Sequence, residues 1–100
     1  MRVEWSPRGF QRAREIAEDI RQDDPSAAEA WLQELFRILE RVVRFPDSGR
    51  IVPEVGKPEL REALHGEYRV VYRRTTKRVS VLTIRHARQL LDLTELQRRS

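Results

Sequence analysis

The order of local patterns along the chain constrains the fold more than any single motif does. Arg2–Trp5 alternates polar and apolar residues, which predicts a short strand. Helical patterns then fill residues 7–45, and strand-like patterns return only from residue 60 onward. Because a lone strand is not stable, the first strand must pair with the later ones. The sequence therefore predicts an α+β fold of order β-α-α-β-β-β, with a helical hairpin packed on one face of a small, mostly antiparallel sheet.

The two helices are predicted from apolar spacing and from their capping residues. Ser6 is expected to cap a first helix that runs from Pro7 to about Gln22. Asp24 is expected to cap a second helix, whose apolar stripe ends at Phe45. The short connection makes the helices antiparallel neighbours. Their wide apolar face predicts core packing, and the alternative is that a minority of the stripe stays exposed for a partner.

The remainder of the chain predicts an ordered link, a β-meander and a C-terminal tail. The link, residues 46–59, holds three of the five prolines and is expected to pack on the body as an ordered loop. β-branched and aromatic residues predict strands over 60–64, 67–74 and 78–85. Residues 86–100 are expected to form one or two helical turns and a frayed end at 97–100. The tail, about residues 89–100, belongs to a single domain that spans residues 1–100.

Composition excludes several classes of protein. A chain of 100 residues with 39% hydrophobic and 36% charged residues makes one globular domain. No apolar run approaches the roughly 20 residues of a membrane span, and the N-terminal residues lack the apolar core of a secretory signal. Cysteine is absent, which excludes disulfides, thiolate catalysis and Cys-ligated zinc. We expect a cytoplasmic protein with no membrane partner, no metal site and no cofactor.

Positive charge is concentrated in the second half of the chain. The formal net charge is +4, and it divides into −1 for residues 1–50 and +5 for residues 51–100. Residues 61–88 include eight basic residues and only two acidic ones. This distribution predicts an acidic partner. The alternative is a solvated sheet edge whose charges prevent aggregation.

Strand alternation sorts these basic residues onto one face of the sheet. Three residues of the strand 67–74 are predicted to face the helices: Tyr68, Val70 and Tyr72. The opposite face is expected to stay open and to carry the arginines Arg61, Arg69, Arg73 and Arg85. In the last strand, one face is expected to carry Leu82, Ile84 and His86, and the other Val79, Val81, Thr83 and Arg85.

His86 is the candidate acid–base group. It lies between Arg85 and Arg88 at the end of the last predicted strand, and its unperturbed pKa is near neutrality. A histidine among arginines is suited to RNA cleavage, because the arginines would stabilise the charge on the reacting phosphate. The alternative is that His86 caps or packs the end of the strand. The residues alone predict a small basic α+β domain that prefers acidic partners.

Several stretches in a fixed order resemble the ParE/RelE superfamily, the toxins of bacterial type II toxin–antitoxin (plasmid stabilisation) pairs. These stretches are Val3–Ser6, Phe45–Arg50, Val52–Glu54, Arg61–Leu64, Tyr68–Arg73 and Val81–Arg88. The link 45–50 and the runs 61–64 and 68–73 are similar to the ParE branch. The fold of that family has the same β-α-α-β-β-β order.

The resemblance implies one favoured function and one alternative. A ParE-like toxin inhibits DNA gyrase and thereby replication, without being an enzyme, and a ParD-like antitoxin neutralises it. A RelE-like toxin is instead a ribosome-dependent endonuclease that cleaves mRNA. Under that alternative the catalytic residues are His86, Arg61, Arg73 and Arg85. Lys57 stands alone in the link, which departs from the lysine pair of ribonuclease members.

The resemblance also implies an antitoxin partner, ParD- or RelB-like, in a hetero-oligomeric complex. An amphipathic helix or strand with acidic residues could cover the apolar groove of the helical hairpin and the arginine face together. We therefore expect the antitoxin to be acidic in its C-terminal half. The residues expected to bind the target or the antitoxin are Arg61, Arg69, Arg73, Arg85, His86 and Arg88.

Overall fold

The computed structural model describes residues 2–96 and confirms the predicted α+β fold. The elements are β1 Arg2–Trp5, α1 Pro7–Asp23, α2 Pro25–Arg44, β2 Arg50–Ile51, β3 Leu60–His65, β4 Tyr68–Arg74, β5 Arg78–His86 and a 3₁₀ turn Leu93–Leu96. The five-stranded sheet has the order β1-β5-β4-β3-β2, with β1 parallel to β5 and all other pairs antiparallel. The two-residue β2 inside the link was not predicted. The expected frayed end at 97–100 lies outside the described residues.

The predicted caps form, and they attach the helices to the sheet. The hydroxyl of Ser6 accepts a hydrogen bond from the Gly9 N–H at 2.9 Å and donates one to the Leu82 carbonyl at 3.0 Å. A side chain at Gly9 would place its Cβ 2.4 Å from the Val81 carbonyl oxygen, so only glycine lets α1 approach β5 this closely. Asp24 alone connects the helices, and its carboxylate accepts from the first amides of α2.

The helical hairpin covers one face of the sheet, which we call the helix face. Its core contains Trp31, Leu35 and Leu39 from α2, together with Val70, Val81 and Ile84 from the sheet. A second cluster nearby consists of Ile38, Val42, Tyr72 and Val79. Burial of these apolar side chains supplies the main favourable term of folding on this face. No helix within residues 2–96 is both long enough and apolar enough to cross a membrane.

A β-bulge in β5 makes the predicted alternation of the last strand wrong. Val71 pairs with Thr83 and Tyr72 with Val81, so Leu82 has no partner on β4. As a result Val81 and Ile84 both pack on the helix face, while Leu82 and Thr83 lie on the opposite face. At the bulge, the Val81 carbonyl accepts a hydrogen bond from the Ser6 backbone N–H, and the Leu82 carbonyl accepts one from the Ser6 hydroxyl. The cap of α1 and the irregularity of β5 are therefore one structural feature.

The opposite face of the sheet, here called the second face, is covered, which corrects the expectation of an open arginine surface. The link 46–59 and residues 87–96, which we name the C-terminal strap, lie across it. Its buried apolar cluster consists of Val52, Leu60, Val71, Leu82, Leu91 and Leu96. The link is thus an ordered loop packed on the body, as predicted. The strap has little regular structure, so its apolar spacing gave no strong signal for this contact.

Candidate partner-binding site

Arg69 lies inside the second face and is almost fully buried. Only 4% of Arg69 is solvent-exposed. Its guanidinium donates to Glu62 at 2.9 Å and to both carboxylate oxygens of Glu54 at 2.7 and 2.8 Å. The hydrogen bonds from Arg69 lower the pKa of Glu54 to about 2, and the two carboxylates raise the pKa of Arg69. This network joins β3, β4 and the link.

Arg61 lies on the other face of the sheet from Arg69. It pairs with Tyr72, whose ring packs among the helix-face residues. The Arg61 guanidinium donates to the carbonyl oxygens of Pro58 at 2.9 Å and Gly49 at 3.0 Å. Asp47 also forms an ion pair with Arg61 at 3.6 Å. Arg61 therefore fixes the two ends of the link.

Arg85 lies on the second face and is paired with a buried carboxylate of the strap. Its guanidinium is 3.1 Å from Glu95, which also receives the Arg8 side chain at 2.6 Å and the Thr83 hydroxyl at 3.1 Å. Glu95 is 9% exposed. Arg8 and Arg85 both bind this nearly buried carboxylate, and such charge-assisted contacts hold the strap against α1 and β5.

His86 is a turn-capping residue in this geometry. Its Nδ1 accepts a hydrogen bond from the Arg88 N–H at 3.2 Å, and its ring stands edge-on to Tyr68 with centroids 5.8 Å apart. The nearest carboxylate, on Glu67, is 3.9 Å from Nε2. Tyr68 faces the helices, so the His86 ring extends on the helix face, opposite the side chain of Arg85.

The six predicted site residues are therefore not brought together on one surface. Arg73 is half-buried on the second face and Arg88 is exposed, and neither has a carboxylate within 4 Å among residues 2–96. The other predicted arginines are paired within the chain, and His86 is held by its own turn. Whether any of them contacts a partner stays a prediction.

An open, apolar groove lies along the helical hairpin. It has a volume of about 880 Å³ and runs between α1 and α2. Phe10 and Phe36, which line it, are 53% and 54% exposed. Trp5 closes one end and stands edge-on to Phe10 with centroids 6.4 Å apart. Exposed aromatic side chains in a concave surface are typical of a protein-binding site.

A second groove of about 520 Å³ continues from the first along strand β1. The two grooves share Trp5 and Phe36, and the second is further lined by Val3, Val43 and Arg44. β1 is an edge strand that pairs only with β5, so its outer backbone groups are free to pair with an added strand. Together the grooves offer a place for a helix and then an extended segment.

Charged side chains of both signs border this groove pair: the cations Arg2, Arg14, Arg21 and Arg44, and the carboxylates Glu15, Glu18, Asp19, Glu29 and Glu40. The Arg14 guanidinium lies 5.9 Å from the centre of the Phe10 ring. Arg44, at the end of α2, lines the second groove and has no carboxylate within 4 Å in the described part of the chain. Phe10 has the helical spacing of the apolar stripe of α1, which predicts burial, and yet its ring is 53% exposed. Phe36 is an aromatic residue outside the apolar stripe of α2, and this position was the feature of the sequence that could have indicated a binding surface.

Comparison with solved structures shows the fold of a known toxin system. The structure of the "Chromosomal ParDE TA system from P. aeruginosa" matches with a TM-score of 0.68. The match has 16% sequence identity and covers 86% of this chain and 95% of that one. At this identity the likeness concerns the fold. A comparison with curated protein sequences gave no significant match.

The family is shown by a match to nearly the whole chain. The family model of the ParE toxin of the type II toxin–antitoxin system, parDE, matches residues 3–91. This range includes the helical hairpin, the sheet and the first part of the strap. The chain therefore belongs to the ParE toxin family of type II toxin–antitoxin systems.

Proposed function

We propose that this ParE-family toxin acts in the cytoplasm by binding and inhibiting DNA gyrase, without cleaving RNA, and that a ParD-like antitoxin neutralises it. The observation that carries this proposal is the contrast between the arginines and the groove. Arg61 and Arg85, two of the arginines that would serve a nuclease, form ion pairs within the chain, whereas a large apolar groove bordered by charged side chains is open. A surface of that kind is suited to binding a protein chain.

The chemistry of RNA cleavage needs an acid–base group and cations that converge on one phosphate. His86 and Arg85 extend from opposite faces of the sheet. Arg61 and Arg69 already donate to carbonyl and carboxylate oxygens of the chain itself. Freeing Arg69 for a phosphate would leave Glu54 without its cation and would leave the buried Glu62 paired with Arg50 alone. These contacts favour the gyrase-binding function over the RelE-like alternative.

The groove supports the proposed antitoxin contact. An amphipathic helix could place apolar side chains against Phe10 and Phe36, which is the helix-in-groove mode of peptide recognition. Acidic residues that follow it would then meet Arg44, which lines the second groove. We propose that the antitoxin occupies this groove and forms a hetero-oligomer with the toxin. A basic antitoxin segment would contradict the charge argument.

The test of the target is to induce the toxin alone in cells and to follow incorporation of labelled thymidine and labelled methionine over the first minutes. We expect DNA synthesis to stop first while translation continues. Purified toxin should inhibit supercoiling by purified gyrase in the same assay series. An early stop in translation with cleaved messages would instead support the endonuclease.

The test of the groove is Phe36→Asp, with Phe45→Asp as the matched control. Phe45, the residue directly after α2, is 59% exposed but lies outside both grooves, so it presents a similar ring elsewhere on the surface. Loss of a central aromatic contact typically weakens a protein complex by about tenfold or more. We expect Phe36→Asp to weaken antitoxin binding to that extent in calorimetry, and Phe45→Asp to leave it unchanged. Equal effects of the two variants would contradict the proposed site.

A further inference from the structure

The end of the helical hairpin at which the two helices join, here called the hairpin tip, is strongly acidic. Residues 15–29 contain six carboxylates and one arginine, a formal charge of −5 in a chain whose net charge is +4. Four of those carboxylates line the first groove: Glu15, Glu18, Asp19 and Glu29. The basic character of the whole chain therefore does not describe the surface on which this groove opens.

Two of the four carboxylates have no partner within the chain. Glu15 and Glu18 each form an ion pair at 2.7 Å with an arginine of α1. Asp19 and Glu29 are exposed, and neither side chain forms an ion pair or a hydrogen bond among residues 2–96. The groove thus keeps two negative charges that are available to a bound partner.

Asp19 and Glu29 lie level with each other on the two sides of the groove. Each is five residues from Asp24, the residue that connects the antiparallel helices. At the helical rise of about 1.5 Å per residue, Phe10 and Phe36 lie roughly 10–14 Å further along the hairpin. The first groove therefore has an acidic end at the hairpin tip and an aromatic end near β1.

The cations of the groove pair lie away from these two carboxylates. The Arg14 guanidinium is at the aromatic end, 5.9 Å from the centre of the Phe10 ring. The second groove is lined by Arg2, Arg44 and Glu40, and Arg2 is itself paired within β1. Unpaired charge is therefore negative at the hairpin tip, positive beside the aromatic rings and of both signs in the second groove.

We infer that the antitoxin helix in the first groove carries lysine or arginine side chains at the hairpin tip, and that Asp19 and Glu29 bind them. The inference rests on the proposed function, because it specifies the occupant of the proposed antitoxin site. The helical rise places these cations about seven to nine residues from the apolar side chains that meet Phe10 and Phe36. The residues that continue toward Arg44 stay acidic, so the antitoxin segment is basic at one end only.

Such a charge pair would decide which antitoxins the toxin accepts. Opposite charges across an interface fix the register of the partners and speed their encounter, whereas like charges exclude wrong partners. The apolar rings alone would accept any amphipathic helix of suitable size. Asp19 and Glu29 are therefore specificity-determining residues, and an antitoxin helix with carboxylates at the hairpin tip would be rejected.

The probe for the experiment is the antitoxin that relieves growth arrest when it is expressed together with this toxin. Its affinity for the toxin variant Asp19→Lys/Glu29→Lys is measured by calorimetry at low and high salt, with Asp23→Lys as the control. Asp23 is exposed and belongs to the same acidic tip, but it lines neither groove. Because all three residues are exposed, each variant should keep the melting temperature of the wild type.

We expect the double variant to bind the antitoxin about tenfold or more weakly at low salt, and this difference to shrink at high salt. Each single change, Asp19→Lys or Glu29→Lys, should weaken binding about threefold, and Asp23→Lys by less than about twofold. Equal losses from Asp19→Lys and Asp23→Lys would overturn the inference, because the general field of the tip would then act in place of a direct contact.

A charge swap identifies the partner of the two carboxylates. Each lysine and arginine of the antitoxin helix is changed to glutamate and tested against the wild-type toxin and against Asp19→Lys/Glu29→Lys. We expect one or two of these changes to weaken binding to the wild type and to restore binding to the double variant. If no swap restores binding, the direct pairing is wrong.

The outcomes separate this inference from the proposed function. If Phe36→Asp weakens antitoxin binding and the double variant does not, the groove remains the antitoxin site and only the pairing at its acidic end is overturned. If neither Phe36→Asp nor the double variant weakens binding, the proposed antitoxin site itself fails, and the inference fails with it.

Discussion

The two faces of the sheet are covered by different kinds of segment, regular helices on one face and irregular loops on the other. On the helix face, two regular helices bring a continuous apolar stripe onto the strands, with the side chain of Leu35 fully buried. On the second face, the link and the strap have almost no regular structure, and a buried ion network accompanies a smaller apolar cluster. The comparison shows that regular elements can rely on apolar burial, whereas irregular segments need directional polar contacts to hold one conformation.

The regular and the irregular segments leave different kinds of apolar surface exposed. The helices leave a wide groove because their apolar residues extend beyond the face that the sheet can cover. The strap leaves single leucines outside because alternate residues of an irregular segment face opposite ways. Four measurements test how far the two faces differ in what holds them together.

The largest expected effect comes from removing the centre of the ion network. Arg69→Met leaves the buried Glu62 and its neighbour Glu54 without their shared cation. Loss of one partner from a buried ion pair costs about 3–5 kcal/mol in the free energy of unfolding. Urea denaturation should show this loss for Arg69→Met. The exposed control Arg88→Met should stay within about 0.5 kcal/mol of the wild type. A small effect of Arg69→Met would mean that the second face is held by apolar contacts after all.

A pair of cavity variants compares the apolar cores directly. Leu35→Ala on the helix face should destabilise the chain by about 3–4 kcal/mol, because its side chain is fully buried by both helices and sheet. Leu91→Ala in the strap should cost about 2 kcal/mol, since a loose segment can relax around the lost volume. Equal losses in urea denaturation would show that the strap is packed as rigidly as a helix.

Acid should weaken the second face before the helix face. The pKa of Glu54 is lowered from its ordinary value of 4.5 to about 2 by its hydrogen bonds with Arg69. Its stabilising contribution is therefore complete above pH 4.5 and is lost as the pH falls from 4.5 toward 2. Glu54→Gln removes this titration, so its unfolding free energy should change less steeply over that range. Parallel pH profiles for the two proteins would contradict the assignment.

The smallest expected effect is that of His86→Ala. The loss of its hydrogen bond to the Arg88 amide and of its contact with Tyr68 should cost about 1 kcal/mol. Because His86 caps a turn, growth arrest on induction should be retained. Complete loss of toxicity with unchanged stability would show that His86 acts in chemistry, which would revive the endonuclease.

The parts of the fold that periodicity and capping encode could be predicted. Both helices begin at the expected caps, Ser6 and Asp24, and the strand order of the meander follows from its β-branched runs. Tyr72 faces the helices as predicted, because the extra residue of the bulge lies in β5 and the side chains of β4 alternate regularly. The alternation of β5 was wrong because nothing in its residues marks Leu82 as the extra residue. The bulge arises where Ser6 of another element needs two acceptors.

The candidate site was predicted less well for a related reason. Counting charges located the basic half of the chain but could not say which carboxylate each arginine would meet. Arg69 and Glu54 are fifteen residues apart, and they come together only because the link folds back over the sheet. Phe36 lay outside the apolar stripe, and its importance appears only once Trp5 and Phe10 are placed beside it.

By itself the sequence determined the helices, the strands, their order and the family, because these depend on local spacing, helix caps and short motifs that neighbouring residues define. The tertiary structure alone decided which face each residue of β5 occupies, which arginines are neutralised and where an open surface remains. Those outcomes depend on contacts between distant segments, and the energy of an arginine or an aromatic side chain is set by its neighbours in space.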